Sequence, residues 1–182
     1  MTFIKPAVYS ALAFALLVPF ASADVLDSSP AGFTVKTTLT IQATPSDVYK
    51  RLVRDVGEWW NSQHTFSGSA HNLSIQDKPM GCFCEILPGG GGVRHMEVIN
   101  VAPGKRLVLS GAMGPLQSKA LVGTLEIDLS PVEGGTKLEA TYSVGGYVAG
   151  GLTTWAGIVD GVVADQFTRL KNYVEHGTPA EK

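Results

Sequence analysis

Trp155-Ala156-Gly157-Ile158-Val159-Asp160-Gly161-Val162-Val163-Ala164-Asp165-Gln166-Phe167-Thr168-Arg169-Leu170-Lys171-Asn172-Tyr173-Val174 is the stretch on which the fold turns. Trp155, Ile158, Val159, Val162, Val163, Gln166, Phe167, Leu170, Tyr173 and Val174 recur every three or four residues, which is the spacing of one continuous helical face. Gly177 and Pro179 follow and stop the helix. So long a helix with one apolar side must bury that side against another layer. The preceding residues supply one.

Upstream of the glycine pairs Gly145-Gly146 and Gly150-Gly151, two segments alternate with the period of a strand. Leu121, Leu125, Ile127 and Leu129 lie on one face, followed by Leu138, Ala140, Tyr142 and Val144; Thr124, Glu126 and Asp128, then Lys137, Glu139 and Thr141, take the other. One side of this sheet therefore faces water. Further strand-like segments run over residues 72–76, 82–87, 93–101 and 106–110, separated by turns at Pro88 to Gly92, Pro103-Gly104 and Glu133 to Gly135. Near the start, Phe33, Val35, Thr37, Leu39 and Ile41 alternate with polar residues and predict the first strand. Thr44 offers a helix N-cap, Pro45 suits the first helical position, and Asp47 sits well in the first turn. Val48, Leu52, Val53 and Val56 continue at helical spacing to about Gly57, and Glu58 to Asn61 form a short second turn. These elements predict an α+β domain over residues 33–176, with one curved antiparallel sheet wrapped around the long C-terminal helix.

The 182 residues carry 45% hydrophobic and 16% charged side chains and a net charge of −2, a balance suited to one folded globular domain. No basic stripe invites nucleic acid. At the N-terminus, Lys5 precedes an apolar run from Ala7 to Phe20, and Ala21-Ser22-Ala23 supplies a small-residue cleavage site before Asp24. This predicts a signal peptide over residues 1–23 and a periplasmic or secreted product. After Phe20 no apolar stretch is long enough to span a bilayer, so no stable membrane insertion is expected once the signal is removed. Residues 24–32 read as a flexible leader and 177–182 as a flexible tail.

Ile41-Gln42-Ala43-Thr44-Pro45-Ser46-Asp47-Val48-Tyr49, Val101-Ala102-Pro103-Gly104-Lys105-Arg106-Leu107 and Gly134-Gly135-Thr136-Lys137-Leu138 resemble the strand-to-helix opening, a strand-turn-strand and the late hairpin of the START/polyketide-cyclase/pathogenesis-related carrier superfamily (SRPBCC). The resemblance covers about Phe33 to Glu175. It implies the helix-grip fold, in which a sheet curls around the C-terminal helix and leaves a cavity between them. More narrowly, Gly81 to Glu85, Gly114 to Gln117, and Trp155-Ala156 with Val159-Asp160 resemble a branch labelled as relatives of an activator of the heat-shock chaperone ATPase. That activator's partner is cytosolic and driven by ATP. A chain destined for export has no access to it, so no chaperone partner is inferred.

Gly-x-Ser-x-Gly, His-Glu-x-x-His, phosphate-loop and dinucleotide fingerprints are all absent from the sequence, and no cofactor is expected. Cys82 and Cys84 are the two cysteines and, in a strand, share one face. They read as reduced thiols facing the cavity, as a disulfide between Cα atoms near the limit for bridging, or as half of a zinc or copper(I) site with His95 and Glu97. In Val93 to Ile99 neither face is purely apolar. If the odd positions line the cavity, His95 and Glu97 form an acid-base pair; otherwise they are a polar pair in solvent. His64 and His71 read as surface residues. Trp59, Trp60 and Trp155 suit either a pocket wall or plain core packing. Asp160 is either a structural link to the sheet or a polar contact in the cavity, and Gly157 with Gly161 forms a notch that admits sheet backbone or a ligand.

The reading that follows is a carrier of a small apolar or lipid-like molecule, its candidate contacts being Trp59, Trp60, Cys84, His95, Tyr142, Trp155, Val159 and Asp160. The alternatives are a cyclase-, hydratase- or hydrolase-type enzyme using His95, Glu97 or Asp160 in the same cavity, and a Cys/His metal binder.

Overall fold

The computed structural model describes residues 22–180. The expected signal peptide, apart from the backbone of Ser22 and Ala23, lies outside the described residues, as do the last two residues of the expected tail. The elements are β1 (Ser22–Ser29), β2 (Gly32–Ile41), α1 (Pro45–Arg54), α2 (Val56–Trp59), β3 (Leu73–Ile75), β4 (Cys82–Ile86), β5 (Gly92–Ala102), β6 (Arg106–Ser110), β7 (Ala120–Val132), β8 (Gly135–Tyr147) and α3 (Trp155–His176). All pairings are antiparallel, in the order β1-β2-β8-β7-β6-β5-β4-β3. The curved sheet with its long final helix is the α+β helix-grip arrangement.

Local chemistry accounts for the boundaries. Thr44 caps α1, its Oγ1 accepting the Asp47 N–H at 3.2 Å, and Gly177 ends α3 in the left-handed region at φ 74°. Strict alternation in β2, β7 and β8 places Val35, Leu39, Leu125, Ile127, Leu138 and Ala140 in the core.

The expected leader is corrected. Ser22 to Ser29 pair with β2, from Ser22 opposite Thr38 to Ser29 opposite Gly32, with a bulge between Val25 and Asp27. Val25 and Leu26 are largely exposed, so backbone hydrogen bonds to the open edge of β2 order this strand, not a buried face. It also shields that edge from pairing with another chain.

The position of α3 creates the site. Its C-terminal half is clamped: Phe167 and Leu170 are buried, Lys171 Nζ donates to the Thr40 carbonyl at 2.7 Å, and Glu175 accepts the Gln42 N–H at 2.8 Å. Its N-terminal half stands off the sheet, with Ile158 63% exposed and Val159 and Val162 only half-buried. The gap beneath them is the cavity. Among the described residues, no helix is long and apolar enough to cross a membrane.

The expected notch at Gly157 and Gly161 is likewise corrected, since both glycines are exposed and a Cβ on either meets nothing within 4 Å. They admit neither sheet nor ligand. Gly161→Ala is therefore expected to stabilise the domain by about 0.5–1 kcal/mol, through helix propensity and a less disordered unfolded chain. Urea unfolding measures this; a loss of stability would mean that the site is occupied.

Candidate functional site

Two irregular segments close the gap between α3 and the sheet. The loop after α2 is latched to the helix: the Asn61 N–H donates to Gln166 Oε1 at 2.8 Å, and the Asn61 and Gln166 side-chain amides both donate to Asp165 Oδ2, at 2.9 and 3.1 Å. This latch is why a glutamine sits on the buried stripe. On the other side, the turn around Gly114 is held by Tyr142, whose hydroxyl accepts the Met113 N–H at 3.0 Å and donates to the Gly111 carbonyl at 3.3 Å. Gly123 makes room for it, because a Cβ there would lie 2.9 Å from Tyr142 Cε2. Burial pushes the Tyr142 hydroxyl up to about 12, outweighing the opposing pull of the Met113 N–H. It is a neutral structural link.

The space between them, open on one side, is about 390 Å³, within the size range of small-molecule sites. Its walls are almost wholly apolar, formed by Leu125 and Tyr142 of the sheet, Trp155, Val159, Val163 and Phe167 of α3, and Trp60 and Phe66 of the latched loop.

His95 interrupts this wall, with Glu85 bonded behind it. Glu85 of β4 is 1% exposed and His95 of β5 is 6% exposed, with His95 Nε2 2.9 Å from Glu85 Oε2. Glu85 also accepts the Phe66 N–H at 3.0 Å and the Ser67 N–H. Burial raises the Glu85 pKa, but the hydrogen bonds from Ser67, Phe66 and His95 together outweigh it, so the carboxyl lies below its usual value. The imidazole lines the cavity between two rings, Phe66 stacked at 5.8 Å and Phe83 tilted at 5.1 Å.

Of the sequence-expected contacts, Trp60, His95, Tyr142, Trp155 and Val159 line the cavity. The other three do not. Trp59 is 1% exposed in the core, where it donates Nε1–H to the Arg51 carbonyl at 3.2 Å and packs on Trp60 and Phe167. Cys84 lies on the outer side of β4, because the inward positions are Phe83 and Glu85. Asp160 faces away, toward β1: burial, then the charge of Asp24, raises its pKa. His64, expected as a surface residue, is exposed but stands on the cavity rim.

The cysteines form a disulfide with Cα atoms 5.3 Å apart, comfortably within bridging distance and closer than an undistorted strand would allow. A bulge in the β4–β5 pairing lies between Phe83 and Cys84. The proposed metal set is therefore divided between a disulfide on the outer face and His95 within. Among the described residues, no group of three or more His, Cys, Asp or Glu side chains is arranged to hold a metal.

That bulge also corrects the His95–Glu97 pairing. Phe83 is opposite Met96 and Cys84 opposite Arg94, leaving His95 as the extra residue. Its insertion breaks the alternation, so His95 and Met96 are both buried and Glu97 turns outward to pair with Arg94 at 2.9 Å. His95's carboxylate partner is Glu85, which the sequence reading missed. Its one signal was a glutamate in phase with Phe83.

Solved structures share this architecture at low identity. Protein EF2215 of unknown function from Enterococcus faecalis has a TM-score of 0.59 at 18% identity, covering 86% of this chain and 78% of that one. The Aha1 dimer from Colwellia psychrerythraea has a TM-score of 0.57 at 20% identity, covering 79% and 97%. DynU16, a putative protein in the dynemicin biosynthetic locus, has a TM-score of 0.58 at 19% identity, covering 82% and 49%. Comparison with the curated proteins gives no match. Residues 32–175, from the start of β2 to one residue short of the end of α3, match the family model, and the chain belongs to the polyketide cyclase / dehydrase and lipid transport family.

Proposed function

We propose that this protein is an exported carrier, periplasmic or secreted, that holds one small, largely apolar molecule between the sheet and α3. The supporting observation is the apolar cavity of about 390 Å³. The signal-like N-terminus supports export, and the absence of an accessible ATP-driven chaperone in that compartment argues against the activator's role. Trp60 and Trp155 in the cavity wall make the test direct. Titration with a short alkylbenzene should change tryptophan emission saturably at one molecule per chain. A change that never saturates would overturn the reading.

A second reading, acid-base chemistry on the bound molecule, is favoured by His95 in the cavity wall, held from behind by Glu85. Glu97 and Asp160 lie outside it and take no part. This reading requires that the bound molecule be recovered chemically altered, and that His95→Gln preserve binding while stopping the change.

A further inference from the structure

Outside the cavity, the junction of β1, β2 and α3 buries two oxygens that the fold leaves without partners. Asp160 on α3 has a buried Oδ1 with no hydrogen-bond partner, and so has Thr37 Oγ1 on β2, a residue only 2% exposed. Buried oxygens left unmet are costly. The two stand close in height. α3 packs along β1 and β2, anchored by Lys171 on the Thr40 carbonyl and, just before the helix, by the Thr153 carbonyl, which accepts from Ser28 Oγ at 3.3 Å. Counting from either anchor, at about 1.5 Å per helical residue and about 3.3 Å per strand residue, Asp160 stands level with Val35 and Lys36, beside Thr37. Across the ladder, Ala23 pairs with Thr37 and Asp24 with Lys36. The Ala23–Asp24 peptide bond, marked by the small-residue pattern as the cleavage site, therefore lies next to both oxygens. Asp160 is also within electrostatic range of Asp24, whose charge adds to burial in raising its pKa.

A buried carboxylate needs a cation or a proton. Lys36 stands between the buried Val35 and Thr37 on the alternating β2, so it points to the outer face, where it bonds Glu139 at 2.7 Å. Lys171 is engaged by Thr40 and Glu175. One helical turn to either side of Asp160 stand Ala156, Gly157, Val163 and Ala164, which bring no charge. The Asp24 nitrogen is different. In the uncleaved chain it is a neutral amide. Hydrolysis adds water across the Ala23–Asp24 bond, leaves a carboxylate on the departing Ala23, and frees an α-amine on Asp24. That amine takes up a proton below its ordinary pKa of about 8 and then offers three N–H donors.

We propose that Asp160, with Thr37, is the docking site for the α-ammonium created at Asp24 when the signal peptide is removed, so that cleavage itself supplies the missing ion pair and fastens β1 to α3. This rests on the cleavage part of the export reading above and gives the new chain end a binding site. The precursor lacks the cation and is the less stable form, so the fold reaches its full strength only after processing.

Urea unfolding tests it on three forms: the chain beginning at Asp24 with a free amine, the same chain acetylated on that amine, and a chain that still carries residues 21–23. The folding equilibrium constant of the free-amine form should exceed those of the other two by about 10- to 100-fold, the worth of a charge-assisted hydrogen bond out of water. Asp160→Asn should reduce both ratios to about one. In the free-amine form, NMR titration should place the amine pKa above its ordinary value, and Asp160→Asn should return it there. Acetylation changes no residue, so that comparison stands whether or not the variant folds. Equal stability of the free and acetylated forms would overturn the proposal, and is the result expected if a proton on Asp160, shared with Thr37, neutralises it instead. A difference that persists in Asp160→Asn would overturn the assignment to Asp160. An exported protein whose N-terminal residue is not Asp24 would overturn the cleavage reading itself, and the latch with it, while leaving the cavity untouched.

Discussion

Glu85→Ala is expected to destabilise the domain by about 3–5 kcal/mol, because it removes a buried carboxylate and leaves several buried donors without their acceptor. The carboxylate satisfies the Phe66 N–H, the Ser67 N–H and His95 Nε2, and the alanine variant leaves all three without it. Two of them belong to the loop that closes the cavity, so the loop should lose amide protection before the sheet does. Urea unfolding measures the first effect and hydrogen exchange the second. A loss below about 1 kcal/mol, the size of an exposed pair, would show that Glu85 is hydrated.

The same group sets an acid limit. Burial raises its pKa, but the Ser67, Phe66 and His95 hydrogen bonds together lower it by more, leaving the folded value below the ordinary 4.5. A carboxyl depressed on folding contributes stability that is complete above the unfolded pKa and lost as pH falls through the folded one. Glu139, lowered by Lys137 and Lys36, titrates in the same window. The difference between the unaltered chain and Glu85→Gln below about pH 4.5 isolates the Glu85 part.

Val159→Trp should abolish binding with the fold intact. Val159 is half-buried on α3 and lines the cavity, so an indole there enters the empty space instead of the packed core. Probe affinity is expected to fall at least about 100-fold, or roughly 2.7 kcal/mol. The thermal midpoint should move by only a few degrees. Undiminished affinity would place the ligand elsewhere.

The architecture was legible wherever burial imposed a period. The C-terminal part of the α3 stripe, around Val163, Gln166, Phe167 and Leu170, and the alternation of β2, β7 and β8 read directly, because each has one buried face. β1 was not legible, since edge hydrogen bonding leaves its side chains exposed and imposes no pattern. The site was half legible. Trp60, Tyr142, Trp155 and Val159 follow from which faces turn inward, but pairing His95 with Glu97 assumed an unbroken strand. One bulge shifted the phase, sent Glu97 outward and brought His95 to Glu85. Nothing in the local pattern of Val93 to Ile99 specifies where that extra residue falls, because the register depends on β4. A regular strand sets residues two apart about 6.6 Å from each other, whereas the two cysteine Cα atoms lie 5.3 Å apart, a distortion that no local pattern announces.

The cavity is proposed to hold a small apolar molecule. Native mass spectrometry of the protein purified from its own cells tests this, by comparing intact masses under native and denaturing conditions. The expected result is a chain beginning at Asp24, lighter by two hydrogens than its reduced form, and carrying one labile organic mass that is lost on denaturation and in Val159→Trp. A mature chain that carries no such mass and takes up no apolar probe would contradict it.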